Sequence, residues 1–281
     1  MIWGWTLPVL KPRCTNFSDC KPDPLDRPAK IKKMRLDHLL TERGLAESGN
    51  RAQRMIMAGL VYVNGQKADK PGHPVRSDVD IEVREPLRFV SRGALKLDAA
   101  LKAFPYPVKD KVCLDVGAST GGFTDLLLQE GAAKVYAVDV GHSQLHYRLR
   151  EDARVINLEK THIRELTREQ VTEPVDVVVI DTSFISLSTV LPLSWSFLAP
   201  EGWCAALIKP QFEVGPKNLV KGVVRDEAAR RDAVERMTDM ALTLPDAELL
   251  GVVESPIHGP KGNIEYLLVL KKGTALQELL S

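Results

Sequence analysis

Residues 112–140 read VCLDVGASTGGFTDLLLQEGAAKVYAVDV, and this stretch decides the fold. An apolar segment containing Asp115 runs into a turn rich in glycine, and apolar residues at helical spacing follow the turn. A second apolar segment then ends at Asp139. A strand, a glycine-rich turn, a helix and a second strand in this order predict the first unit of a nucleotide-binding α/β fold.

The glycine-rich turn indicates which ligand such a fold could hold. Gly117 allows a sharp turn, and Gly121 and Gly122 would let a ligand approach the main chain without meeting a Cβ atom. Asp139 suits the two hydroxyls of a ribose. The turn is not GxGxxG, which disfavours a dinucleotide, and no GK[ST] follows, which excludes a P-loop. The pattern resembles the S-adenosylmethionine site of Rossmann-like methyltransferases, and a purely structural turn is the alternative. The predicted cofactor-binding residues are Asp115, Gly117, Ala118, Ser119, Thr120, Gly121, Gly122, Phe123, Asp139, Val140 and Asp181.

The remaining strands complete one sheet. Apolar segments predict strands at 112–116, 134–139, 153–156, 175–180, 203–208, 249–253 and 264–270. Helical patterns lie between most of them, so the sheet should be mainly parallel with helices on both faces. The predicted fold class is therefore α/β: a Rossmann-like, seven-stranded domain whose glycine-rich turn resembles that of S-adenosylmethionine-dependent methyltransferases, preceded by a small α+β domain.

The small domain is predicted from residues 34–84. Leu36, Leu39 and Leu40 recur at helical spacing, and Ser48 or Asn50 could cap a second helix. Asn64-Gly65 indicates a tight turn between short strands, and residues 75–83 alternate as one further strand. We expect a loosely packed or disordered extension at 1–33, a linker at 85–95, a catalytic domain at 96–273 and a tail at 274–281. Met34 is an alternative start of translation.

The composition of the chain limits its possible binding partners and its cellular compartment. Residues 1–94 hold 17 Lys and Arg against 11 Asp and Glu, a balance of +6, whereas the rest holds 21 against 26, or −5. The basic N-terminal part of the chain could bind an anionic polymer, or its positive charges could simply be solvated. Cys14, Cys20, Cys113 and Cys204 form no CxxC pair, so we expect reduced thiols in a cytoplasmic protein without a zinc site. We find no signal peptide and no apolar run long enough to span a membrane.

Charged residues also occur at ends of predicted strands. Asp181 ends the fourth strand, Lys209 ends the fifth, and Glu265 begins the last. Lys96 lies in the helix that leads into the catalytic domain. Ligands of open α/β sheets bind outside the carboxyl ends of the strands, so these four charges should surround one pocket. His142 and His146 are four residues apart on a predicted helix, but no third metal ligand is evident, and we interpret them as surface residues.

Long motifs resemble one family. VSRGALKL, CLDVGASTGGFTDLLL, VYAVDVGHSQLHYRLR, DVVVIDTSFISL, LIKPQFEVG, KGVVRD and SPIHGPKGNIEYLL cover nearly all of residues 34–272. They resemble the TlyA family, also named hemolysin A, whose catalytic domain is similar to FtsJ-type ribose methyltransferases. Two positions depart from the family pattern: Ala94 replaces a second glycine, and His162 replaces an asparagine.

The resemblance implies a function and its residues. Lys96, Asp181, Lys209 and Glu265 match a catalytic Lys-Asp-Lys-Glu tetrad, and residues 34–84 match an RNA-binding module named after ribosomal protein S4. The implied reaction is methyl transfer from S-adenosylmethionine to a ribose 2′-hydroxyl of cytidine in ribosomal RNA, within assembled or assembling subunits. The sequence does not identify the nucleotide or the subunit. The predicted RNA contacts are Arg35, Arg51, Arg54, Lys67, Arg88 and Arg92.

The mechanism that this tetrad suggests begins with a hydroxyl that needs a base. Lys209 would help to deprotonate it, Asp181 would orient Lys209, Lys96 would stabilise negative charge, and Glu265 would hold the lysines. The sequence lacks the Asn-Pro-Pro-Tyr-like loop of ring-nitrogen methylation, and Cys204 lies in a predicted core strand. Two alternatives remain: a membrane-active hemolysin, and an RNA-binding S-adenosylmethionine sensor without turnover.

Overall fold

The computed structural model describes residues 32–84 and 88–274 and divides the chain into two compact units after Pro86. Most of the predicted extension and the predicted tail lies outside the described residues, as do residues 85–87 of the predicted linker and the cysteines at positions 14 and 20. The first strand begins at Lys33, inside the segment that was predicted to be an extension.

The N-terminal unit combines two helices with short strands. In chain order they are β1 (Lys33–Arg35), α1 (Leu36–Glu42), α2 (Gly49–Met57), β2 (Val61–Val63), β3 (Gln66–Lys67), β4 (Pro74–Arg76) and β5 (Ile81–Val83). β1 pairs with β4, and β2 lies between β3 and β5. Leu36, Leu40, Ile56 and Val61 are completely buried at the centre of its core. The side chain of Ser48 accepts a hydrogen bond from the Arg51 amide and so caps α2.

The single strand predicted at residues 75–83 is divided into two strands in the structure. Residues 75–83 alternate as a single strand would, but Val79 N donates to Arg76 O across a turn. The side chain of Arg76 also donates to that of Asp78 through its Nε and Nη2 atoms, at 2.9 and 2.7 Å. These side-chain hydrogen bonds stabilise the same turn. β4 and β5 consequently pair with different partners.

The C-terminal unit is the predicted seven-stranded α/β sheet. Its elements are α3 (Ala94–Ala103), β6 (Val112–Val116), α4 (Gly122–Gln129), β7 (Lys134–Asp139), α5 (Tyr147–Arg150), β8 (Val155–Glu159), β9 (Val175–Ile180), α6 (Leu187–Trp195), β10 (Leu198–Ile208), α7 (Pro210–Glu213), α8 (Glu227–Leu242), β11 (Ala247–Glu254) and β12 (Tyr266–Lys272). The strand order is β11-β12-β10-β9-β6-β7-β8, and β12 alone runs in the direction opposite to the other six strands. The predicted architecture, a mainly parallel seven-stranded sheet preceded by a small α+β unit, is confirmed.

Both faces of this sheet are covered by helices. Cys113 and Val177 pack on the face that carries α3 and α4, whereas Leu114 and Val178, one residue further along each strand, pack on the face that carries α6 and α8. Alternate residues of a strand point to opposite faces, so continuous apolar runs are what a doubly covered sheet requires.

The predicted linker at 85–95 differs from the structure. From Phe89 onwards these residues pack on the C-terminal unit, because Phe89 is buried in its core and Val90 N donates to Asp125 Oδ2 at 2.7 Å. α3 begins at Ala94, inside the predicted linker. His142 and His146 do not share a helix, since α5 begins after His146.

Candidate active site

The candidate site lies where the chain reverses direction across the sheet. From β6 the chain proceeds through β7 to β8 on one side, and then returns to β9 and β10 on the other. The carboxyl ends of β6 and β9 are therefore neighbours at a topological switch point, where open α/β sheets bind their ligands. Asp181 and Lys209 immediately follow β9 and β10 at this edge.

The four charged residues predicted for the site form one ion-pair network. Lys209 Nζ lies 2.6 Å from Asp181 Oδ1, and Lys96 Nζ lies 3.3 Å from Asp181 Oδ2. Lys96 Nζ also lies 2.8 Å from Glu265 Oε2. Asp181 thus bridges the two lysines, and the four formal charges sum to zero. Glu265 reaches the network because β12 runs antiparallel, which brings the start of that strand to the carboxyl ends of the parallel strands.

The members of this network differ in how deeply their side chains are buried. Glu265 is completely buried, while the side chain of Asp181 is 20% exposed and that of Lys209 is 7% exposed. Burial alone would lower the pKa of Lys96, but the carboxylates of Asp181 and Glu265 outweigh this effect and raise it. Lys96 therefore remains a cation that holds two carboxylates, and Asp181 is the member most open to solvent.

Neighbouring polar side chains that the sequence did not reveal support the network. Lys209 Nζ donates to Ser183 Oγ at 2.9 Å, and Gln211 Nε2 donates to Glu265 Oε1 at 3.0 Å. Gly259 leaves room for the carboxylate of Glu265, because a Cβ there would lie 2.1 Å from Oε1. Ser183 and Gln211 follow strand ends closely, and this position was the only signal that could have identified them.

Glu213 joins the two loops that carry Asp181 and Lys209. Its Oε2 accepts a hydrogen bond from Ser186 Oγ at 2.7 Å, and its Oε1 accepts one from Leu187 N at 2.8 Å. A carboxylate at this end of α6 also complements the helix dipole. The loop after β10 therefore caps the helix that follows β9, which fixes the spacing of the two loops.

The predicted cofactor loop lines two adjoining cavities. The larger, of about 520 Å³, is lined by Val138, Asp139, Val140, Gln144, Thr161, His162 and Ile163 together with residues 182–185. The smaller, of about 270 Å³, is lined by Ala118, Thr120, Gly122, Phe123, Lys96, Lys209 and Pro260. Gly117, Ser119, Asp181 and Ser183 line both. The ion-pair network consequently adjoins the cavity beside the glycine-rich turn.

The larger cavity fits the predicted cofactor. Its volume is that of a site for a nucleoside-sized ligand, and its wall combines apolar and polar side chains. Asp139 is held by main-chain amides, with Oδ2 accepting from Ser119 N and Oδ1 from Gly141 N, both at 2.7 Å. Each of these carboxylate oxygens keeps further acceptor capacity, which suits ribose hydroxyls. His162, which departs from the family pattern, also lies in this wall.

Two predicted cofactor residues line neither cavity. Asp115 is completely buried beneath the loop, where Thr124 Oγ1 donates to its Oδ2 at 2.6 Å. Gly121 has a φ of +93°, and a Cβ there would lie 2.2 Å from Leu149 Cδ1. Gly122 lines the smaller cavity, but its Cβ would lie 2.9 Å from Ala94 N. The missing side chain of Gly121 therefore makes room for Leu149, and that of Gly122 makes room for Ser91 and the start of α3.

The burial of Asp115 predicts a dependence of stability on pH. Burial raises the pKa of Asp115 from 3.8 to about 7, and the carboxylates of Asp181 and Asp139 add to this effect. Between these values the folded protein binds a proton that the unfolded chain releases. The contribution of Asp115 to stability is therefore greatest below pH 4 and is lost as the pH rises towards 7.

We expect Asp115→Asn to remove this dependence. From pH 5 to pH 7, wild type should lose about 1 kcal/mol of unfolding free energy per pH unit relative to the variant. Urea unfolding at several pH values measures the difference, and Asp110→Asn, at an exposed turn, is the control. Parallel stability profiles for wild type and Asp115→Asn would contradict the assignment.

The predicted RNA contacts lie on the surface of their own units. Arg35, Arg51, Arg54 and Lys67 are exposed in the N-terminal unit. The guanidinium of Arg35 is held by buried Asp37, to which Nε and Nη2 donate at 3.0 and 2.7 Å. In the C-terminal unit Arg92 is exposed, and Arg88 lies 3.6 Å from Glu130. None of these residues joins the ion-pair network of the candidate site.

The structure also bears on metals, thiols and membranes. Within residues 32–84 and 88–274, no three His, Cys, Asp or Glu side chains are grouped as a metal site would require. Cys113 and Cys204 are buried, as expected of core residues, and burial raises the pKa of both thiols. Among the helices that the structure describes, none is both long and apolar enough to cross a membrane.

Comparisons with known proteins agree with this architecture. Residues 89–272 match the model of the FtsJ-like methyltransferases, and residues 34–81 match the S4 domain. YqxC of Bacillus subtilis, described as a candidate rRNA methyltransferase, is 49% identical over 243 residues, which cover 85% of this chain and 86% of the relative. A 16S/23S rRNA (cytidine-2′-O)-methyltransferase, TlyA of Mycobacterium tuberculosis, is 44% identical over 246 residues, or 86% of this chain and 91% of the relative.

A solved structure resembles both units of the chain. This protein, a candidate hemolysin from Streptococcus thermophilus, is 41% identical, and the alignment covers 87% of this chain and 90% of that chain with a TM-score of 0.67. Identity and coverage at this level establish the family. The chain belongs to the TlyA family, in which an S4 domain precedes an FtsJ-like methyltransferase domain.

Proposed function

We propose that this protein transfers a methyl group from S-adenosylmethionine to the ribose 2′-hydroxyl of a cytidine in ribosomal RNA. The observation that carries the proposal is the Lys96–Asp181–Lys209–Glu265 network beside the glycine-rich turn. The name of the Mycobacterium tuberculosis relative supports cytidine and ribosomal RNA as the substrate class. A ribosomal substrate would place the reaction in the cytoplasm.

The cofactor would be held in the larger cavity. Asp139 would accept hydrogen bonds from the ribose hydroxyls of the cofactor, and Val140 and Ile163 would pack against the apolar surface of the cofactor. When bound, S-adenosylmethionine supplies a methyl group attached to a sulfonium. The thioether that this sulfonium becomes is a good leaving group. The work left to the protein is to activate and align a weakly acidic hydroxyl.

Lys209 Nζ is the atom that would accept the hydroxyl proton. Two of its hydrogen-bonding positions are directed to Asp181 Oδ1 and Ser183 Oγ, at 2.6 and 2.9 Å. The proposed step requires the deprotonated amine, which can donate to both partners and still present a lone pair to the proton of the 2′-hydroxyl; it becomes an ammonium as the new oxygen–carbon bond forms. Asp181 would fix the direction of that lone pair.

Lys96 and Glu265 would set the electrostatics around this step. Lys96 shares Asp181 with Lys209, so its positive charge lies close enough to stabilise negative charge that develops on the hydroxyl oxygen. Glu265 and Gln211 hold Lys96 in place from the buried side. Together these groups are suited to a hydroxyl and provide no nucleophile for ring-carbon methylation.

Transfer of labelled methyl to isolated ribosomal subunits tests the proposed function. The RNA is digested after the reaction and its nucleosides are analysed by mass spectrometry. We expect 2′-O-methylcytidine, and the subunit that acquires it identifies the substrate. Methyl on a base would overturn the proposed mechanism. Cofactor binding without transfer to either subunit would favour a sensing role.

An exposed aromatic residue beside the site predicts how substrate binds. Phe184 is 91% exposed, lines the larger cavity, and has its ring centroid 5.2 Å from that of Phe212. Unpaired RNA bases commonly stack on such rings. We expect Phe184→Leu to raise the KM for RNA about tenfold with little change in kcat, since one stacked base contributes about 1–3 kcal/mol.

Phe184→Tyr keeps the ring and should retain the KM of wild type. Steady-state kinetics at varied RNA concentration measures both variants. An unchanged KM in Phe184→Leu would show that no base stacks at this position.

A further inference from the structure

Two loops of the C-terminal unit carry exposed basic side chains that the proposed reaction does not use. Residues 214–225 and 255–264 contain no Asp or Glu. They carry exposed Lys217, Lys221, Arg225, His258 and Lys261. No ion pair involves these side chains among the residues that the structure describes. We name this set of five residues the basic patch.

The backbone presents two of these lysines at tight turns. Val220 and Val223 exchange both main-chain hydrogen bonds, at 2.9 and 3.1 Å, and leave Lys221 and Gly222 between them. Lys221 has a φ of 52° and Lys261 a φ of 61°, which is the left-handed region that side chains other than glycine rarely adopt. Both lysines are therefore held in place by turns that are costly for these residues to form.

A buried asparagine holds the two turns together. Asn263 is 3% exposed, and its Nδ2 donates to Gly222 O at 3.0 Å and to Pro260 O at 3.1 Å. Its Oδ1 accepts from Val224 N at 3.2 Å. A Cβ on Gly222 would lie 3.1 Å from Lys261 Nζ, so the Lys261 ammonium reaches the Lys221 turn. The structure thus brings Lys221 and Lys261 to adjacent turns, and neither lysine has a counterion among the described residues.

The patch is continuous with the candidate active site. Pro260, next to Lys261, lines the smaller cavity with Lys96, Asp181 and Lys209. A ribose at Lys209 carries a phosphate on each side along the strand, and lysine ammonium groups are suited to phosphates as point charges. We infer that the basic patch binds the phosphodiester backbone of RNA next to the methylated nucleotide, an inference that rests on the proposed function for the identity of the polymer.

This role differs from that of the S4 domain. Contacts at the patch would align the strand relative to Lys209, whereas the exposed arginines of the N-terminal unit are remote in sequence from the catalytic residues. Phosphate contacts fix register and orientation but carry little sequence information. Loss of the patch should weaken RNA binding uniformly and reduce its dependence on salt.

The test compares Lys221→Gln/Lys261→Gln with a matched control, Lys102→Gln/Lys109→Gln. The control removes the same charge from exposed positions in α3 and before β6, away from the carboxyl ends of the strands. A short fluorescent RNA hairpin is titrated with the full-length protein at several salt concentrations. We expect about tenfold weaker binding for the patch variant, and a salt slope reduced by about 1 per lysine.

Cofactor affinity and unfolding midpoint should match wild type in both variants, which excludes misfolding as the cause. Equal RNA affinity and salt slope in the patch variant and the control would overturn the inference. Unchanged RNA binding with lost binding to a polyglutamate probe would assign the patch to an acidic protein surface, and would overturn it as well.

Failure of the proposed function has a different signature. If wild type transfers no methyl to ribosomal RNA but the patch variant alone loses affinity for the hairpin, the reaction is wrong and the RNA-binding surface stands. If transfer to ribosomal subunits is normal and the patch variant binds the hairpin as wild type does, the surface is wrong and the reaction stands.

Discussion

Lys209→Ala should lower the rate of methyl transfer by about 10³-fold at saturating RNA, the magnitude typical of a lost general base. The residue is the one lysine of the network in contact with both Asp181 and Ser183, and its amine is the proposed proton acceptor. Cofactor affinity should change little, because Lys209 lines the smaller cavity and not the larger one. Initial rates with labelled cofactor and calorimetric titration measure the two quantities.

Lys209→Arg separates the proton acceptor from the positive charge. Arginine keeps the charge but does not lose a proton near neutral pH, so this variant should be nearly as inactive as Lys209→Ala. Lys102→Ala, at an exposed position in α3, serves as the control and should retain full activity. If Lys209→Arg kept more than about a tenth of the wild-type rate, the residue would act by charge alone.

Gly117→Ala should lower the unfolding free energy by about 3 kcal/mol, because strain and steric overlap combine at this position. Gly117 has a φ of +88°, and its Cβ would lie 2.6 Å from Asp181 O and 3.1 Å from Thr182 N. These neighbours are main-chain atoms, so no side chain can rotate away. The shift would separate the ends of β6 and β9, and cofactor affinity should fall with stability.

Urea unfolding checks this expectation, and Gly215→Ala is the matched control. Gly215 has a φ of −66°, and a Cβ there would meet no atom within 4 Å. Its substitution should change stability by less than about 0.5 kcal/mol. Equal unfolding midpoints for the two variants would mean that the loop at Gly117 relaxes freely.

Local pattern was sufficient for most of the fold. The strands at 112–116, 134–139 and 175–180 occur at the predicted positions, because apolar runs bounded by turn residues specify buried strands. Asn64 and Gly65 both have positive φ, as the tight turn that was predicted requires. The strand at 203–208 extends back to Leu198, since an irregular pairing with β9 carries it past Gly202.

Contacts between distant segments are what the local pattern does not record. Gly121 resembles a ligand-binding glycine in the sequence, but the atom nearest to its absent Cβ belongs to Leu149. Asp115, which is predicted to bind the cofactor, is completely buried and accepts a hydrogen bond from Thr124 of the following helix. Ser183, Gln211 and Glu213 bond to residues 26, 54 and 27 positions away, and no local periodicity records such partners.

The charged residues of the candidate site were predictable because each adjoins a strand end or the entering helix. Strand ends converge at one edge of a parallel sheet, so Asp181 and Lys209 could be placed together from pattern alone. Which oxygen pairs with which nitrogen could not be deduced, since that depends on side-chain packing. Their roles in catalysis remain predictions that the Lys209 variants test.

The position of β12 has a consequence for how the protein becomes active during synthesis. β12 is the last strand of the sheet along the chain, yet it lies between β10 and β11 and is preceded directly by Glu265. A nascent chain that has emerged only as far as β11 therefore lacks both an internal strand and the anchor of Lys96. Premature termination before β12 should yield no partially active fragment, because the edges that it leaves open favour aggregation.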